Sequence, residues 1–181
     1  MMTVMNELVK RLKEGEEEAF ALIYSHLETP LINHLFKMLG SIEKAQEIFQ
    51  ETMLTLIKKI NHYNYRGDLN NSFKAWVFRI GTNLAIDEIR KKKEVLFEHI
   101  PDVEVTEVNT VEVNDTKNRI NELIMLLPVV QRTFLNLKVN EELSHNEIAA
   151  ICSCNINTVK QGLFRARKTL KDILINEGIS I

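Results

Sequence analysis

Apolar residues recur by threes and fours through most of this chain. From Ser41 to Asn61 the positions Ile42, Ala45, Phe49, Met53, Leu56 and Ile60 form one stripe of an amphipathic helix that starts after Gly40-Ser41. Upstream, Met5 to Leu12 and Glu17 to Leu39 give two more helical patterns, parted at Gly15, with Pro30 straining the second; downstream, Ser72 caps a segment running to about Lys93. Residues 94 to 115 lose the period. Val103, Val105, Val108, Val111 and Val113 leave a fragment of alternation there, readable as an edge strand or as an extended tether. The helical pattern resumes from Lys117 to Leu127, restarts at Pro128, which suits a first helical turn, and reaches Asn140. Ser144-His145-Asn146-Glu147 is a capping box that opens a short helix to Cys152, and Asn155 is a good N-cap for a longer helix from Ile156 to about Asn176.

Composition narrows the class. The 181 residues include only 6 Gly and 3 Pro, too few for the turns of a β sandwich or barrel, so the expected fold is all-α. The net charge of -2 suggests no partner, but it hides a segregation. Residues 61 to 93 carry 7 basic and 3 acidic groups; 94 to 115 carry 7 acidic groups and no Lys or Arg; 116 to 181 carry 9 basic and 6 acidic. Seven like charges repel, and nothing nearby offers a pairing strand, which favours the tether. The expected organisation is two small helical domains, 1 to 93 and 116 to 181, joined by a flexible acidic linker at 94 to 115. No apolar run approaches the ~18 residues of a membrane span, so no membrane insertion is expected. The sequence lacks a charged-then-apolar leader, and its two cysteines, Cys152 and Cys154, are too close for an ordinary disulfide, which reads as cytoplasmic.

The chemistry lies in the second basic block. A short helix, a tight turn and a longer helix, with Ile148, Ala149, Ile151, Val159 and Leu163 facing inward, follow the plan of a helix-turn-helix. On the longer helix Lys160, Phe164, Arg167, Lys168 and Lys171 step outward, and from Ile156 to Lys171 no acidic residue occurs. A merely solvated face mixes both signs; this one suits phosphates, with the helix in a major groove. Elsewhere the signals are structural. Cys152 reads as packing, Cys154 has no CxxC partner, and the five histidines form no dyad or triad. No metal, no cofactor and no catalytic residue is expected.

Several motifs together are recognisable. Leu127-Pro128 with Gln131-Arg132, Leu143-Ser144, Glu147-Ile148-Ala149, Thr158-Val159-Lys160 and Arg165-Ala166-Arg167 resemble the fourth conserved region of bacterial sigma factors. Glu47 to Thr52, then Phe73, Trp76, Phe78-Arg79-Ile80, Asn83-Leu84-Ala85, Asp87 and Arg90, resemble the second. Both in order, with a short linker, resemble the extracytoplasmic-function (ECF) class. The resemblance implies a transcription initiation factor, not an enzyme, with core RNA polymerase, promoter DNA and an anti-sigma factor as partners. It assigns Glu47, Gln50 and Glu51 to polymerase docking. It assigns Tyr63, Tyr65, Arg66, Asn70, Asn71, Arg79, Asn83 and Arg90 to the minus-ten element, where amides read base edges and rings stack on unpaired bases. Asn157, Thr158, Lys160, Gln161, Phe164, Arg165, Arg167 and Lys168 fall to the minus-thirty-five element. Trp76 shares a face with Ile80 and Leu84, which fits core packing better than base stacking.

The chain departs from the family pattern at Gln161-Gly162, which replaces a Ser-Arg pair and puts a glycine mid-helix at a cost of roughly 1 kcal/mol. It departs again at Ser153, a position commonly glycine, and at Gly81-Thr82, which replaces Ala-Arg. Two other readings are an ordinary helix-turn-helix regulator and a sigma-like decoy for an anti-sigma factor. The first leaves the Glu47 to Glu51 and Phe73 to Arg90 matches unused, and the second lacks the receiver domain such decoys usually carry.

Overall fold

A computed structural model of the chain describes residues 2–64, 72–92 and 122–177. Among the described residues the regular structure is helical, without strands. Helix α1 spans Met2–Lys13, α2 Glu17–Leu39, α3 Ile42–Lys59, α4 Phe73–Lys92, α5 Val129–Val139, α6 His145–Ile151 and α7 Ile156–Asn176. A 3-10 turn, Ile60–His62, follows α3. The acidic linker and its valine alternation lie outside the described residues.

The helix ends fall where the short polar side chains stand. Ser41 Oγ accepts from the Lys44 amide and Ser72 Oγ from the Ala75 amide, each at 3.2 Å. Gly40 closes α2 in the left-handed conformation, φ 72°, with its N–H donating to Phe36 O. Pro30 sits inside α2 without ending it. The capping box at Ser144 forms in both directions: the Ser144 amide donates to Glu147 Oε2 at 2.8 Å, and the Glu147 amide donates to Ser144 Oγ at 3.2 Å.

Helix α2 is the axis of the first half. Its Ile23, Leu27, Leu31, Leu35 and Met38 are buried together with Phe49, Met53 and Leu56 of α3 and Val77, Phe78 and Ala85 of α4. Gly81 lets α4 press on this axis, since a Cβ there would stand 3.1 Å from Thr52 Oγ1 and 3.3 Å from Leu31 Cδ1. One expected core position fails: Ile42 is 43% exposed, and Ile48 and Thr52 take the inward side of α3 instead.

The two halves do not merely share a tether. The apolar cluster around α2 continues into Val130, Phe134, Leu137, Ile148, Val159 and Leu163, with α5 packed on α2 and α6 on α4. Polar groups line the seam. Arg132, buried on α5, donates from Nη2 to Met38 O of α2 at 3.1 Å and from Nη1 to Met125 O at 2.8 Å. Burial pulls its guanidinium down to about 10, which leaves it charged at neutral pH beside the negative, C-terminal end of α2. Lys74 of α4 meets Glu141, just after α5, at 2.8 Å, and the carboxylate side is nearly closed to solvent.

Candidate nucleic-acid interface

The helix-turn-helix forms as its sequence requires. Ile148, Ala149 and Ile151 of α6 and Val159 and Leu163 of α7 are buried against each other and against Phe134 of α5. Ser153 adopts φ 53° in the turn, the left-handed backbone that glycine supplies more cheaply. Asn155 Oδ1 accepts from the Thr158 amide at 2.8 Å and starts α7. Gly162 is a close-approach residue: a Cβ would stand 2.5 Å from a ring carbon of Phe134, so its absence is what allows α7 to lie on α5. The departure from the family pattern at that position is thus a packing requirement.

With Val159, Gly162, Leu163 and Ala166 turned inward, α7 exposes Asn157, Lys160, Gln161, Phe164, Arg167 and Lys168, while Thr158 and Arg165 are half-buried. Phe164 is 71% exposed, the most exposed of the large apolar side chains among the described residues. A groove of about 550 Å³ runs beside it, walled by Lys160, Gln161, Arg165 and Lys168, with Asp172 as its one carboxylate. Gln131 of α5 also lines it; this buried side chain leaves its Oε1 without a hydrogen-bond partner, a feature its place in the Gln131-Arg132 motif does not reveal. All eight upstream candidates therefore lie on one helix, and they carry cations without a carboxylate among them.

The downstream candidates are less uniform. Arg79 is exposed and Asn83 half-buried on α4, whereas Tyr65, Arg66, Asn70 and Asn71 lie outside the described residues, as does the side chain of Arg90. Tyr63 corrects the expectation of a base-stacking ring. It is 3% exposed, its centroid 5.3 Å from Phe73 and 5.0 Å from Trp76. Its place one residue after the 3-10 turn points the ring back under α4, a tertiary effect invisible in the helical period. Trp76 is partly buried in the same trio.

On α3, Glu47, Gln50 and Glu51 are exposed, and Glu47 pairs with Lys44 at 2.6 Å. Leu54 and Ile57 continue this face toward the C-terminus, 57% and 46% exposed. The sequence signal for them is two apolar residues out of register with the inward stripe, four and seven positions past Gln50. An apolar strip beside carboxylates and an amide suits a protein partner more than DNA.

Among the described residues no group of His, Cys, Asp and Glu is arranged to hold a metal, and no helix is long and apolar enough to cross a membrane. Burial pushes the Cys152 thiol well up and the Cys154 thiol up, which leaves both poor nucleophiles.

Comparison with known proteins bears on the family and the fold. The pattern of Sigma-70 region 2 matches residues 23–95 and that of Sigma-70 region 4 matches residues 117–170. The chain is 30% identical over 185 residues to the ECF RNA polymerase sigma factor SigW of Bacillus subtilis, covering 94% of this chain and 97% of the relative. It is 25% identical to the RNA polymerase sigma-H factor of Pseudomonas aeruginosa, covering 93% and 92%. Among solved structures, CnrH in complex with the cytosolic domain of CnrY aligns with a TM-score of 0.65 at 18% identity, covering 93% of this chain and 96% of the other. The sigma factor RpoE of Bartonella quintana, in complex with the anti-sigma factor NepR, also aligns with a TM-score of 0.65, at 22% identity, covering 86% and 96%. At those identities the structures speak for the fold.

Proposed function

This chain belongs to the ECF class of RNA polymerase sigma factors, and from that premise we propose how its surfaces divide the work. The protein binds core RNA polymerase and directs promoter recognition, DNA opening and transcription initiation. In our reading the boundaries are those of the sequence: 1–93 docks on polymerase and handles the minus-ten element, 94–115 is the tether, and 116–181 reads the minus-thirty-five element. Glu47, Gln50 and Glu51, extended by Leu54 and Ile57, form the docking face. Arg79 and Asn83, with the segment from Tyr65 to Asn71, serve the melted strand. Lys160, Gln161, Phe164, Arg167 and Lys168 enter the upstream major groove, with Asn157, Thr158 and Arg165 at its edge. It acts by binding, without catalysis, in the cytoplasm beside the polymerase.

The observation that carries this reading is the exposed face of α7, cationic and without a carboxylate from Ile156 to Lys171, on a helix-turn-helix whose caps and core are complete. An anti-sigma partner is part of the proposal, supported by the two solved relatives, each of which is held by a second protein. Run-off transcription with purified core polymerase and a promoter library tests it. We expect initiation from a defined promoter subset only when the protein is added. Tight binding to duplex DNA by the isolated protein, with no initiation above core alone, would instead support an ordinary helix-turn-helix regulator.

A further inference from the structure

Tyr63, whose direction the helical period leaves open, is held at its amide, its ring and its carbonyl. The N–H donates to Ile60 O at 3.0 Å and closes the 3-10 turn. The ring packs on Phe73 and Trp76 of α4. The carbonyl accepts from Nζ of Lys13, the last residue of α1, at 2.5 Å, and the same ammonium stands 5.9 Å from the centroid of the tyrosine ring. An exposed lysine in the last turn of a helix ordinarily serves only the helix dipole. Here it reaches across 50 positions of sequence to one part-buried carbonyl, and a charged donor makes that bond stronger than a neutral one would.

The end of α1 that carries Lys13 is itself anchored. Val9 is buried in the core that α2 lines, with Leu8 and Leu12 packed against it. Arg11 Nε donates to Glu16 Oε2 at 2.7 Å and its Nη2 to Glu18 Oε2 at 3.3 Å, so the helix end is also oriented on the start of α2. On the far side, Phe73 is buried at the start of α4, and Ser72 O accepts from the Trp76 N–H at 3.0 Å. Tyr63 and Phe73 therefore stand ring against ring, 5.3 Å apart, and the chain from Tyr65 to Asn71 is strung between them. A binding segment whose two ends are already fixed loses less conformational entropy on gripping a ligand than one whose ends must first be brought together.

We propose that Lys13 is a positioning residue for minus-ten recognition: by holding the Tyr63 carbonyl, it sets the point from which residues 65–71 meet the unpaired strand. The inference rests on the assignment of that segment to the melted strand, and the experiment separates the two. A lysine that acted only as a phosphate contact would add affinity for every sequence alike, whereas one that positions a base reader adds selectivity.

The test uses holoenzyme assembled from the full chain and core polymerase. The probe is a fluorescent single-stranded oligonucleotide carrying the non-template strand of a promoter selected in the run-off library, compared with the same strand scrambled in its downstream element. Lys13→Met keeps the aliphatic stem and removes the donor; it should lower the preference for the selected strand by roughly fivefold to tenfold. Lys13→Arg should restore most of that preference. Affinity for core polymerase, and for a duplex bearing only the upstream element, should stay at the parent's values in both variants. An unchanged preference in Lys13→Met overturns the proposal. So does an equal loss on selected and scrambled strands, which would make Lys13 a phosphate contact, and so does a loss in all three binding measurements together with helical content, which would make it a fold contact alone. A parent that initiates but shows no preference between the strands removes the minus-ten assignment and the proposal with it, while a parent that never initiates removes the sigma-factor reading.

Discussion

Two single residues in the C-terminal half show close approach and backbone strain at work. Gly162 looks like a defect in a long helix, and replacing a helical glycine by alanine ordinarily gains up to about 1 kcal/mol. Here the added methyl would meet the Phe134 ring at 2.5 Å, so Gly162→Ala should instead destabilise the chain by about 1–3 kcal/mol. Urea unfolding followed by circular dichroism decides the sign. Ser153 is the opposite case: at φ 53° its Cβ costs free energy that glycine would not, and Ser153→Gly should stabilise the chain by about 1 kcal/mol and so raise the midpoint of the same transition. The glycine departure could be seen in the sequence, but its reason could not, because Phe134 lies 28 positions away on another helix.

At the scale of elements, the caps were the most legible feature. Ser41, Ser72, Ser144 and Asn155 each accept from a backbone amide three residues on, as their positions before apolar runs require. The outward face of α7 was equally legible, since its cations fall in a helical register. Arg167→Ala should weaken upstream-element binding and flatten its salt dependence by about one phosphate contact; measuring affinity across a salt series checks this, and an unchanged slope would remove Arg167 from the interface. On α3, Glu51→Lys should impair assembly with core polymerase while leaving the circular dichroism spectrum intact, and native gel shift of the holoenzyme reads it. The aromatic turn was less legible. Tyr63 stands at the end of a helical pattern, where no period says which way a ring turns, and it turned inward onto Phe73 and Trp76.

For the whole molecule, the seam between the halves makes stability depend on acid. Burial, helped by Lys37 on the same helix, lowers His34 to about 3 from its ordinary 6.5. The charged groups at the seam from neighbouring elements are Arg132 of α5, Lys74 of α4 and its partner Glu141. Above about pH 6.5 the imidazole is neutral folded or unfolded and costs nothing. Between 6.5 and 3 the unfolded chain takes a proton that the folded one refuses, so stability falls as the pH is lowered, by about 1.4 kcal/mol per unit from this group. Urea midpoints from pH 7 to 4 should show that slope, and His34→Gln should lose it. By itself the sequence determined the helices, their caps, the all-α class, the cationic face of α7 and the family, because each rests on residues within a few positions of one another or on a motif with fixed spacing. Only the tertiary structure decided that Tyr63 is core, that Gly162 serves Phe134, and that the halves close on His34, Thr82 and Asn136. Those outcomes depend on contacts between different elements, across 10 to 102 positions of chain, where local period carries no information and the shapes of packed surfaces do.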